Sequence, residues 1–143
     1  NLASQEYWGF GFSTRDMREI TAVNIALEAS RSGTGVGLVQ VQFSVDGGKS
    51  YFSINQSLTT TETLYWLDVT SYVSWAPSML SDANIRMRLR ALTVSGTWTV
   101  SVDWLGVKVS YVSVRDMTGP TPGTPDNNIN ILDLHYVAWR FGT

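Results

Sequence analysis

An all-β fold, an antiparallel β-sandwich with a short C-terminal appendage, is what this chain of 143 residues predicts. Three observations carry that prediction. From Ile20 to Tyr111 apolar residues recur with a period of two, the spacing that gives each strand one buried and one solvated face. Clusters of Gly, Asp, Asn, Ser and Thr separate the apolar runs, as turns between antiparallel strands require. Charged residues make up 15% of the chain, below the usual quarter or so, while aromatics reach 12%.

Taken in order, the runs at Tyr7 to Ser13 and Ile20 to Ser30 open the body. The clearest strand is Leu38 to Asp46, where Val39, Val41, Phe43 and Val45 point one way and Gln40, Gln42 and Ser44 the other. Asp46-Gly47-Gly48-Lys49 supplies turn chemistry and leads into Tyr51-Phe52-Ser53-Ile54 as the hairpin partner. A further run covers Thr61 to Val69, and the period then breaks at Trp75 to Leu80, where a loop with one helical turn is expected. Across Asn84 to Ala91, Ile85, Met87, Leu89 and Ala91 alternate with Arg86, Arg88 and Arg90, so one face is apolar and the other cationic. The last body run, Trp98 to Val112, changes phase: Trp98, Val100, Val102 and Trp104 form one set, and Leu105, Val107, Val109 and Tyr111 the next. A bulge or bend near Asp103 to Gly106 would reconcile the two sets. The total is seven or eight strands.

The body spans residues 1–117, a Pro/Gly/Thr linker follows at 118–125, and residues 126–143 form an apolar docking segment. Two readings of that segment stand side by side. As a helix, Ile129, Leu132, Tyr136 and Trp139 lie along one stripe, with Asn130 as a cap and Asp133 near the positive end of the dipole. As a strand donated to a neighbour, it divides into Ile129, Ile131, Val137, Trp139 and Phe141 against Leu132, Leu134, Tyr136 and Ala138. Either way Ile129, Leu132, Leu134, Tyr136, Val137, Trp139 and Phe141 are the expected contacts with a partner.

The body resembles jelly-roll sandwiches of the galactose-binding-like and carbohydrate-binding-module type, on the pieces Ser44 to Tyr51 (SVDGGKSY), Leu67 to Val73 (LDVTSYV) and Ser101 to Val112 (SVDWLGVKVSYV). The resemblance implies a jelly-roll fold and a structural calcium at Asp103. Asp126 to Gly142 (DNNINILDLHYVAWRFG) resembles the calcium-loop-plus-helix half of a dockerin. That resemblance implies calcium ligands at Asp126, Asn130 and Asp133 and a cohesin-like partner. Pro122 and Thr124 fall where the first two ligands of such a loop belong, and Asn127 replaces its glycine, so the donor set is short of the six to eight oxygens calcium takes.

Several function classes fall away. With no cysteine there are no disulfides, no thiolate-ligated zinc and no thiol catalysis. A net charge of −2 without a Lys/Arg run argues against nucleic acid, and no apolar stretch approaches a membrane span. The single histidine, His135, has no nucleophile motif beside it, and Asp46, Asp68 and Asp103 stand singly, so no enzyme is expected. Among six tryptophans, Trp98 and Trp104, with Tyr111, belong to strands where core packing accounts for them. Trp8, Trp66 and Trp75 are the candidates for stacking on a sugar ring. Asn55-Gln56-Ser57 is a glycosylation sequon, and the start at Asn1 suits a mature chain after removal of a signal peptide. The expectation is a non-catalytic protein of the cell surface or extracellular space that assembles with copies of itself through its terminal segment. The alternative is a carbohydrate-binding module whose tail docks on a scaffold.

Overall fold

Eight strands in two four-stranded antiparallel sheets make up the computed structural model, which describes residues 4–113 and 134–140. The strands are β1 (Ser4–Tyr7), β2 (Met17–Gly33), β3 (Val36–Ser44), β4 (Phe52–Ser57), β5 (Thr63–Asp68), β6 (Arg86–Ser95), β7 (Trp98–Ser113) and β8 (Leu134–Arg140). Sheet I has the order β1-β6-β3-β4 and sheet II the order β5-β2-β7-β8. The all-β expectation holds. The helical turn expected within the loop at Trp75 to Leu80 is a 3-10 turn at Pro77–Leu80. No helix among the described residues is long and apolar enough to cross a membrane.

Alternation decides what each sheet buries. In sheet I the register sets Tyr7 against Met87, Met87 against Phe43 and Phe43 against Phe52. In sheet II, Val23, Ile25 and Leu27 pair with Val109, Val107 and Leu105, and all six are buried. These inward rows meet in one cluster that also takes in Leu67, Val69, Leu80 and Ile85. Phe43 lies at its aromatic centre, with ring centroids 5.3 Å from Phe52, 5.7 Å from Tyr72 and 5.8 Å from Trp75. Trp75 also donates its indole N–H to the carbonyl of Val69 at 3.1 Å. Proposed above as an exposed stacking residue, it instead seals the core, because the loop that breaks the strand period folds back over the open end of the sandwich.

The phase change in the last body run is a bulge. Leu27 pairs with Leu105 and Glu28 with Trp104, yet Ala29 pairs with Val102, leaving Asp103 as the extra residue of β7. Val102 and Leu105 therefore both face the core. Trp104, grouped above with the core residues, is turned to the outer face beside Glu28 and is half-buried there. The insertion comes one residue earlier than the hydrophobic pattern alone suggests, because a tryptophan reads as apolar in either phase.

For Leu134–Arg140 the helical reading gives way to the extended one. The segment is a strand, antiparallel to β7 with Leu134 opposite Ser110 and Arg140 opposite Trp104. The linker at 118–125 lies outside the described residues, as do Asp126, Ile129, Asn130, Leu132, Asp133 and Phe141.

At the far end, the β2–β3 and β6–β7 turns meet backbone to backbone, with the Thr34 N–H donating to the Thr97 carbonyl at 2.9 Å. Gly35 and Gly96 carry φ of 106° and 74° there, and each lies against the other turn's backbone. Next to them the Trp98 ring occupies the space a side chain at Gly37 would need. A Gly37→Val variant is expected to lose about 1–3 kcal/mol through overpacking. Urea unfolding of Gly37→Val, Trp98→Ala and the double variant checks this, since the double variant should lose less than the sum of the two single losses.

Candidate functional site

The outer face of sheet I is the more highly organised of the two. On β6, Arg86, Arg88 and Arg90 point away from the core, in register with Ser44, Gln42 and Gln40 of β3. On the other side Glu6 and Ser4 of β1 pair with Arg88 and Arg90. Trp8 continues β1 on the same face, with the Arg86 guanidinium 5.9 Å from its ring centroid. Tyr51, which precedes β4, reaches right across the sheet: its ring lies 4.0 Å from the Arg88 guanidinium and its hydroxyl donates to Glu6 Oε1 at 2.6 Å. Under this cover Gln42 and Ser44 are buried, and Gln42 donates to Ser53 Oγ at 3.2 Å while facing Arg88 Nη1 at 3.5 Å. Burial, then the bond to the Glu6 carboxylate, pushes the Tyr51 phenol above its usual range, which fixes it as a neutral donor.

Charge on this face is unbalanced. Glu6 serves both Tyr51 and Arg86, the latter at 3.9 Å, and it is the one carboxylate in the three strand rows that carry the arginines. Arg86 Nε is shielded from solvent and has no hydrogen-bond partner. Trp8 is 59% exposed. Asn55 is exposed on β4, opposite Gln40, so the sequon lies at the edge of the same face.

Sheet II carries a different outer face. Trp66 stands outward on edge strand β5, 48% exposed, while its neighbour Tyr65 packs against the core. The ammonium of Lys108 lies 5.7 Å from the Trp66 ring centroid. Between Trp66 on β5 and Ala138 on β8 the register places Ala26 and Gly106, both buried, as a floor of small residues. Glu28, Glu62 and Asp103 gather beside this floor with carboxylate oxygens within 4.8 Å of one another. Asp103, which the resemblance put forward for calcium, thus has two carboxylate neighbours that spacing along the chain could not reveal. Geometrically the three can hold a cation, and the other three residues put forward as ligands lie outside the described residues.

The hairpin at Asp46 is structural. Ser44 Oγ, the Ser50 amide and hydroxyl and the Lys49 amide all donate to its carboxylate, at 2.6–3.0 Å. The Ser50 hydroxyl leads in holding Asp46 far below the ordinary carboxylate range. Its stabilising contribution is present above the unfolded value of 3.8 and is lost as the pH falls below it.

Glu62 behaves in the opposite sense. The charge of Asp103, then burial and Glu28, raise its pKa above the usual 4.5. The folded chain holds that proton more tightly than the unfolded chain, so the stabilisation is complete below 4.5 and is lost as the pH rises through the raised value. Glu62→Gln is therefore expected to melt higher than the parent at pH 7 and to lose that advantage near pH 4. Calorimetry at both pH values checks this, and an equal gap at both would show that repulsion among the three carboxylates is not the cause. Comparison with protein-family models, with curated proteins and with solved structures returns no match to this chain, so its role has to be read from the faces and edges just described.

Proposed function

We propose that the chain is a non-catalytic, exported structural subunit that polymerises head to tail by adding its terminal strand to sheet II of a neighbouring copy. The observation that carries this reading is the way β8 is attached. It occupies the edge of sheet II, antiparallel to β7, with Leu134 level with Ser110 and only three residues short of the end of β7 at Ser113. A hairpin at that point needs a loop of about two to five residues. Residues 114–133 intervene instead, a stretch that spans on the order of 60 Å when extended. A tether of that length serves the same edge on another copy as easily as its own, and a main-chain ladder supplies the same bonds in either case.

Composition supports the setting. Low charge, many aromatics and no cysteine suit an extracellular β module. The sandwich itself we take as a jelly roll, since the chain crosses between sheets at β1–β2, β2–β3, β4–β5, β5–β6 and β6–β7 and stays within one sheet at β3–β4 and β7–β8. On this reading Leu134, Tyr136, Val137 and Trp139 are intersubunit residues.

A chain without native cysteines allows a direct test. Ser110→Cys with Leu134→Cys puts one thiol on each strand of a register pair. On oxidation of the concentrated protein, exchange of β8 should give a ladder of covalent multimers in denaturing gels, and electron microscopy of the unmodified chain should show fibres. Bridged monomers alone, at every concentration, would show that β8 serves its own sheet.

A further inference from the structure

We propose that the outer face of sheet I is a binding site for an anionic polysaccharide, one carrying carboxylate or sulfate groups on pyranose rings. The inference rests on that face alone and is independent of how copies assemble.

Alternate residues of a strand repeat at about 6.6–6.8 Å, so Arg86, Arg88 and Arg90 set three guanidiniums in a row some 13 Å long. Their spacing is held by packing. Arg88 is fixed over Tyr51 and against Gln42, and Arg86 sits between Trp8 and Glu6. Arg90 makes no hydrogen bond or ion pair with another described residue, and it is half-buried between Ser4 and Gln40. The row therefore keeps a positive excess on a chain whose net charge is negative. Guanidiniums bind carboxylates and sulfates in bidentate fashion.

Charge alone would suit any polyanion. Three further features select a saccharide. Trp8, at one end of the row and 59% exposed, offers an indole face on which the apolar face of a pyranose can rest. Gln40, Ser53 and Asn55 run alongside the arginines and offer neutral donors and acceptors of the kind that sugar hydroxyls use. The surface is a sheet face crossed by the Tyr51 ring, so an extended chain lying along the arginines would pass over that ring as well.

Calorimetric titration of the full chain with polygalacturonate, at low and at moderate salt, tests the assignment. Polygalacturonate should bind, its carboxyl-reduced form should not, and binding should weaken with salt. Trp8→Ala and Arg90→Gln should each weaken binding by about tenfold or more. Neither residue belongs to the core cluster, and matching melting temperatures would confirm that both variants fold. Unchanged affinity in both variants would overturn the site. Equal binding of poly-glutamate would overturn the saccharide, leaving a face that selects charge alone.

Discussion

One extra residue in β7 governs how the two sheets close on each other. A strand's side chains alternate with a period of two, so a single insertion exchanges the faces of everything beyond it. Without Asp103 in its bulge, either Val100 and Val102 or Leu105, Val107 and Val109 would face solvent. With it, both sets pack against the core, and a strand running from Trp98 to Ser113 lines the core along its length. Its companion β2 absorbs the same curvature with irregularities between Met17 and Glu19 and between Ile20 and Ala22. The bulge also has an outward consequence: it brings Asp103 to Glu28 and Glu62 and turns Trp104 outward, so packing of the core and the chemistry of the sheet II surface have one cause.

The two outer faces solve the problem of exposed β-structure differently. Sheet I uses a lattice of opposite and aromatic partners, in which Tyr51 ties the β4 side of the sheet to Glu6 on β1 and covers the polar residues between. Cross-strand pairs of this kind contribute roughly 0.2–1 kcal/mol each, so the lattice adds order more than stability. Sheet II uses small residues, Ala26 and Gly106, which let Trp66 lie close to the sheet, and it tolerates carboxylate repulsion that raises the pKa of Glu62. A surface that keeps such repulsion is not optimised for stability alone.

Much of the body was legible in the sequence because its signal was local. Val39, Val41 and Phe43 against Gln40 and Gln42, and the arginines against Met87 and Leu89, follow strict alternation, and the structure keeps each on its expected face. The opposed directions of Tyr65 and Trp66 needed nothing beyond the pleat. Trp104 was misread because an indole gives no clue to phase, and Trp75 because exposure of a loop residue depends on where the loop folds. The carboxylate trio was invisible for a different reason: its members come from β2, the β4–β5 connection and β7, and only the register between strands unites them. Tyr51 likewise gave no sign that it would span a sheet.

The edges of the sheets explain why β8 matters whichever chain supplies it. Natural β-proteins keep edge strands short, since a long free edge is a template for unwanted pairing. Here the four edge strands, β1, β4, β5 and β8, are 4, 6, 6 and 7 residues long, while the 17-residue β2 and the 16-residue β7 lie inside sheet II. Removing β8 would leave β7 as a long edge with a buried apolar face behind it. The backbone groups between Trp104 and Ser110 would then need another strand to satisfy them. A ladder on β7 makes the same main-chain bonds whichever copy supplies the strand, which is why exchange of β8 is the assembly route proposed above.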